Sequence, residues 1–229
     1  MVVTLFNLEN SRAFRVHWLA CELDIPIQSR NYERMGGKKA VPEMAKDSGY
    51  KLGKSPCIQD GDIQVVESAN CMLYLVERYG PESGFIPSPP NFAQRTKVIG
   101  WMDFAETIMT HALAIIYAQW FAEDQKEAVK NITEKASANV QKDLDEIESA
   151  LESTGGPFVC GSQITAADLA LAFSCEYVLS KEVGTKGHPT NWPKIHQWLR
   201  TLEARPAYQK ALKEGPKYDF CFLKNEGKL

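Results

Sequence analysis

Three short runs in the first third of the chain carry residue types able to act on a small polar ligand. Asn10-Ser11-Arg12 follows an apolar run and opens a helical pattern. Lys54-Ser55-Pro56 precedes a second apolar run, and Glu67-Ser68 opens another helical pattern. At a helix start, the first backbone N–H groups have no partner within the helix, and hydroxyl or amide side chains add further donors and acceptors. Such places favour anionic groups, and open α/β units gather ligands there, at the carboxyl ends of their strands. Each run alone has a plain structural use: Ser11 as an N-cap, Pro56 as a rigid turn, Glu67-Ser68 as a favourable helix start. Their position together at one end of a sheet makes them a candidate site.

The elements that must place them are legible as patterns. Val2–Asn7 is a short β-branched, apolar run suited to a buried strand. Ser11–Leu23 has helical spacing at Val16, Leu19, Ala20 and Leu23, with Asn10 or Ser11 as cap. Pro26–Tyr32 reads as a second strand. Cys57-Ile58-Gln59, the turn Asp60-Gly61-Asp62 and Ile63–Val66 read as a hairpin, and Ser68–Arg78 as a helix stopped by Gly80-Pro81. Strand, helix, strand, helix, hairpin, helix in 80 residues is one compact α/β unit.

After the linker Pro87-Ser88-Pro89-Pro90 everything reads as helix. Arg95–Phe121 is apolar on most sides. Val129, Ile132, Ala136, Val140, Leu144, Ile147 and Leu151 stand three or four apart, a continuous apolar stripe. Thr165-Ala166-Ala167-Asp168 has the form of a capping box, giving Asp168 a structural role, and Trp192-Pro193 opens a last amphipathic helix. The expected domains are 1–82, α/β, and 91–229, all-helical.

Composition narrows the function classes. The 229 residues suit one large domain or two small ones, with 44% hydrophobic and 24% charged residues, as in globular proteins. The net charge of −3 falls wholly after residue 80, and no basic cluster suggests nucleic acid as a partner. Six cysteines form no CxxC pair, so reduced thiols of an intracellular, cytoplasmic protein are expected; Cys57 reads as a buried structural thiol. His17, His188 and His196 stand at no metal spacing, and no metal is expected. Gly36-Gly37-Lys38-Lys39 lacks the spacing of a phosphate loop. No signal peptide is expected from the N-terminal residues. The longest apolar stretch, Ala112–Ala122, falls short of the roughly 20 residues a membrane crossing needs. Gly227-Lys228-Leu229 differs from the Ser-Lys-Leu peroxisomal address by its Gly, leaving that destination a weak alternative.

Taken in order, these motifs resemble the cytosolic-type glutathione transferases, nearest in look to the Gtt-type enzymes of fungi and their bacterial relatives. The resemblance rests on Asn10-Ser11-Arg12-Ala13-Phe14-Arg15-Val16-His17-Trp18-Leu19, Gly53-Lys54-Ser55-Pro56, Glu67-Ser68-Ala69, the segment Gly161 to Asp168, Pro193 to Trp198 and Glu203 to Ala207. Each is weak alone; in register they cover nearly the whole chain. The resemblance implies a thioredoxin-like N-terminal domain, an all-helical C-terminal domain, glutathione as co-substrate, an apolar electrophile as second substrate, a role in detoxification and a homodimer. Arg95–Phe121 and Ser68–Arg78 would lie near the dimer interface.

Such an enzyme must hold a thiol ionised at neutral pH. A free thiol with a pKa of about 8.5 is only a few per cent thiolate at pH 7, and lowering it by about two pH units takes about 2.7 kcal/mol. A hydroxyl donating to the sulfur contributes roughly 1.5–3 kcal/mol, and a helix N-terminus about 0.3–1 kcal/mol more. Ser11 is the first candidate for that donor and Asn10 its rival. The resemblance gives Glu67 and Ser68 the γ-glutamyl end, Ser55 before Pro56 the cysteinyl backbone, and Lys39 and Lys54 the glycyl carboxylate. His111 with Trp101, Phe104, Tyr117 and Phe121 could face an apolar second-substrate pocket. Peroxidase activity would use the same thiolate. With no cysteine at 10–13, dithiol exchange there is excluded, which weighs against a thiol transferase; a glutathione-dependent isomerase would share the pocket. The alternative from another class is a non-catalytic ligand carrier or scaffold domain.

Overall fold

The structure, a computed structural model, describes residues 2–187 and 191–222. His188 and Gly227-Lys228-Leu229 lie outside the described residues. The chain opens with β1 (Val3–Leu8), α1 (Ala13–Glu22) and β2 (Ile27–Tyr32), the two strands pairing in parallel with Leu5 opposite Ser29. A small antiparallel pair, β3 (Arg34–Met35) and β4 (Lys39–Ala40), and α2 (Pro42–Ser48) follow. The hairpin β5 (Cys57–Asp60) and β6 (Ile63–Val66) completes a mixed sheet in the order β2-β1-β5-β6, before α3 (Ser68–Tyr79).

Sheet position explains the sequence patterns. β1 sits between two strands, and its residues are buried except the half-buried Thr4, so it reads as a continuous apolar run. β2 lies at the edge and alternates half-buried with exposed positions over Ile27–Arg30. Gly36 and Gly37, at φ +60° and +69°, make the turn from β3 to β4, so the Gly36-Gly37-Lys38-Lys39 run is hairpin chemistry. Phe6, Leu8, Met44 and Cys57 form a core cluster under the candidate site.

The remaining elements are α4 (Phe92–Phe121), α5 (Lys126–Ser153), α6 (Ala166–Ser180), α7 (Pro193–Glu203) and α8 (Pro206–Glu214). Asp168 serves the fold, as its capping position predicts. Its carboxylate accepts from the Thr165 N–H at 2.8 Å, the Thr165 hydroxyl at 3.0 Å, the Val159 N–H at 2.9 Å and the Trp198 indole at 3.0 Å. Burial pushes its pKa up, against the pull of those bonds. On α5 the apolar stripe is buried only from Val140 on; Ile132 is exposed, and Val129 and Ala136 are half-buried.

Two compact units emerge, one within Met1–Arg95 and Ala204–Asp219, the other within Thr96–Glu203 and Phe220–Leu229. The helices after residue 91 therefore fall in both units. The helix opened by Trp192-Pro193 is not the last. Arg205 is extended, Pro206 starts α8, and α8 lies against α1 within the first unit. Aromatic packing fixes it there. Phe14 stacks on Tyr218 with ring centres 4.0 Å apart, and Tyr208 meets the rings of Phe14 and Trp18 edge-on at 5.0 and 4.9 Å. Arg205 adds a two-pronged pair with Glu22 at 2.6 and 2.7 Å.

Candidate functional site

The chain leaves β1 at Leu8 and turns into α1 through Asn10, which takes the left-handed φ of +49°. The buried Ser11 hydroxyl donates to the Leu8 carbonyl at 2.7 Å and accepts the Ala13 N–H at 3.2 Å. Ser11 therefore serves the helix start, although the position flanking α1 is Arg12, which makes no side-chain capping bond. The Asn10 side chain does not cap the helix either. Its amide donates to Asp219 Oδ2 at 3.0 Å, its carbonyl accepts the Asp219 N–H at 2.9 Å, and its own N–H donates to the Lys217 carbonyl at 3.0 Å. Arg34 holds the same loop from the other side, donating to the carbonyls of Glu9 and Asn10.

Ser55 comes to the same place from the second run. The Ser55–Pro56 peptide is cis. The Ser55 hydroxyl accepts the Leu8 N–H at 3.1 Å and donates to the Phe6 carbonyl at 2.9 Å, and it stands 3.5 Å from the Ser11 hydroxyl. The third run adds Ser68, buried at the first turn of α3, whose hydroxyl accepts from Arg15 Nη1 at 3.0 Å. Glu67 before it is exposed and holds φ +69° with ψ 128°, a conformation that costs a non-glycine residue on the order of 1–3 kcal/mol. The structure thus joins Ser11 to Ser55 directly and Ser68 to α1 through Arg15. Lys54, the residue before Ser55, and Lys39, on β4, are both exposed.

Arg15 is the residue the sequence reading missed. It is 1% exposed, a charged side chain amid the buried run Ala13–Ala20, and that contrast was a usable signal. Cys57 is fully buried in the core cluster, and burial pushes its thiol up to about 11. That is the inert structural thiol expected. The aromatic set on α4 does not converge. Trp101 and Phe104 pack edge-on and line a cavity of about 580 Å³ with Lys97, Gly100, Lys142 and Asp143. His111 Nδ1 pairs with Asp143 Oδ2 at 2.6 Å, whereas Tyr117 and Phe121 are exposed and, at 100° per residue, lie on the opposite side of the helix.

A mixed four-stranded sheet of this order followed by helices is the thioredoxin-like plus all-helical architecture that the sequence motifs implied. The family model described as glutathione S-transferase, N-terminal domain, matches residues 1–77, and that of the C-terminal domain matches residues 112–215. Glutathione S-transferase 3 of Schizosaccharomyces pombe is 31% identical over 216 residues, covering 90% of this chain and 85% of its own. The structure superposes on a glutathione S-transferase of Actinobacillus pleuropneumoniae with a TM-score of 0.79 at 26% identity, covering 93% and 92% of the two chains. It shares the fold, at a TM-score of 0.70 and 21% identity over 92% and 96% of the chains, with a theta-class enzyme of Xanthomonas axonopodis pv. citri solved with glutathione bound. The chain belongs to the glutathione S-transferase family, and as a member it is a transferase. Among the described residues no helix is long and apolar enough to cross a membrane.

Proposed function

We propose that the chain conjugates the thiolate of glutathione to apolar electrophiles, with Ser11 as the donor that stabilises the sulfur anion. The observation carrying this reading is the buried Ser11 hydroxyl at the mouth of α1, 3.5 Å from the Ser55 hydroxyl beside Pro56. Its proton rests on the Leu8 carbonyl, and a hydroxyl can rotate. Giving up that neutral bond costs about 0.5–1.5 kcal/mol, whereas a bond to a charged acceptor contributes about 1.5–3 kcal/mol, so redirection to a thiolate is favourable. The Asn10 amide is engaged with Asp219, which supports Ser11 over its rival.

On this reading Ser55 and Pro56 offer the cysteinyl backbone an extended partner, and Glu67 and Ser68 receive the ammonium and carboxylate of the γ-glutamyl end. Lys39 or Lys54 meets the glycyl carboxylate. Catalysis is electrostatic stabilisation plus positioning. Peroxide reduction would draw on the same thiolate. Detoxification, a cytoplasmic homodimer and domain limits near 82 and 91 belong to the same proposal. The test is the pH dependence of conjugation and the thiolate absorbance of bound glutathione in wild type, Ser11→Ala and Asn10→Ala. Ser11→Ala should raise the pKa of the bound thiol and lower turnover with binding nearly intact. Normal turnover in that variant, with loss in Asn10→Ala, transfers the role to Asn10. Failure of the wild type to bind immobilised glutathione favours a carrier or scaffold.

A further inference from the structure

The first unit carries a second group of chemically able residues that the proposed reaction leaves unused. His17 and Cys21 lie one turn apart on α1, and α8 brings Glu214 beside them, so that one ligand-type atom from each lies within 4.8 Å of the others. His17 is only 1% exposed, and its Nδ1 is buried with no hydrogen-bond partner. A buried polar atom without a partner is rare in native folds and calls for a physical reason. A Cβ on Gly215 would stand 3.1 Å from that nitrogen, so it faces the residue directly after Glu214.

We propose that His17, Cys21 and Glu214 form a three-residue binding site for a borderline-soft divalent cation, zinc above all, pinning the end of α8 to α1. Imidazole nitrogen, thiolate and carboxylate are the zinc donors, and a tetrahedral ion at bond lengths of about 2.0–2.3 Å sets its ligands roughly 3.3–3.8 Å apart. Closing from 4.8 Å needs a shift of about 1 Å. Exposed Glu214 and half-buried Cys21 can supply it, with water as fourth ligand. A thiolate and a carboxylate balance the two charges of the ion, and the C-terminal end of α8 is itself favourable to a cation. Glu22, the nearby alternative carboxylate, is held by Arg205 and the Trp18 indole. Lys210 on α8 opposes the ion, its ammonium 4.0 Å from Asp24. Burial keeps Cys21 a neutral thiol, pushed up to about 11. Metal entry therefore forms one metal–sulfur bond and releases the thiol proton to solvent.

This inference goes beyond glutathione chemistry, and its test omits glutathione, which would itself compete for the ion. The chelator-treated chain is titrated with cobalt(II), the spectroscopic stand-in for zinc, and the thiolate-to-cobalt charge-transfer band is followed. The band should appear in wild type, be displaced by zinc, and be lost in Cys21→Ser. Glu214→Gln, at an exposed position, should weaken cobalt binding about tenfold or more, since even losing an outer-shell partner costs about 10–100-fold. Zinc should raise the melting temperature of wild type and not of Cys21→Ser. No band in wild type, a band surviving in Cys21→Ser, or unchanged affinity in Glu214→Gln overturns the proposal.

Discussion

The hydroxyls of Ser11 and Ser55 stand 3.5 Å apart across 44 residues of chain, and each is already tied to the end of β1. Their ties differ in kind. Ser11 holds one carbonyl with a proton that can rotate away, whereas Ser55 bridges the Leu8 N–H and the Phe6 carbonyl together. The two serines should therefore fail in different ways. Ser55→Ala leaves a donor and an acceptor of β1 without their partner, an expected loss of about 1–3 kcal/mol in urea unfolding. The pKa of the bound thiol should move little. A large rise in that pKa in Ser55→Ala, matching Ser11→Ala, would mean that the sulfur is held by the pair and not by Ser11.

Ser68 and Arg15 give the proposed γ-glutamyl site a cation beneath its hydroxyl, since Arg15 Nη1 donates to Ser68 Oγ at 3.0 Å. An oxygen polarised in this way is a better donor to a carboxylate. Ser68→Ala should raise KM for glutathione about tenfold or more, the equivalent of one bond to a charged group, with kcat little changed. Arg15→Lys should raise it too, because an ammonium cannot reproduce the planar fork. Steady-state kinetics with glutathione varied decide the matter; a fall in kcat at constant KM would place Ser68 in the chemical step instead.

The pattern of what the sequence disclosed follows from locality. β1, α1 and the β5–β6 hairpin are legible because their apolar spacing and turn residues act over a few positions. So are Ser11 and Ser68, which stand at helix starts, and Ser55, which stands before a proline that leads into a strand. Arg15 pairs with Ser68 over 53 residues, and Asn10 finds Asp219 over 209, so neither commitment leaves a local trace. The same holds for α8. Its amphipathic pattern shows that it buries a face, and nothing local shows that the face is offered to α1. Histidine spacing gave no metal site because His17 finds Glu214 only through the packing of α8.

Asp60 closes the β5 end of the hairpin and accepts from the phenols of Tyr74 and Tyr79 at 2.7 and 2.6 Å through one oxygen. Those bonds, that of Tyr79 first, hold its carboxyl below the usual range. Burial and then Asp60 push Tyr74 up to about 12, and the Asp60 bond leads in raising Tyr79. A depressed carboxyl contributes stability above its unfolded pKa and loses it as pH falls through the folded one. A raised phenol contributes below its unfolded pKa and loses it as pH rises through the folded one. The cluster should therefore stabilise the fold from about pH 4 to about pH 10 and fade on both sides. Asp60→Asn should lower stability at pH 7 and converge with wild type in acid; a constant gap between the two curves would remove the carboxylate from the explanation.

Asp168 gives the steepest expectation for stability. Four donors converge on one fully buried carboxylate: two N–H groups, one hydroxyl and one indole. Asp168→Ala strands them together in a dry interior, and each stranded donor costs about 1–3 kcal/mol before relaxation, so a loss of at least about 3 kcal/mol is expected. Asp168→Asn keeps the shape and one acceptor oxygen but turns an NH₂ group toward donors, and should recover only part of the loss. Urea unfolding of the three chains measures this order directly. If glutathione binding is lost while unfolding is unchanged, Asp168 acts on the site and not on the fold. Near-wild-type stability in Asp168→Ala would mean that water replaces the carboxylate at all four donors.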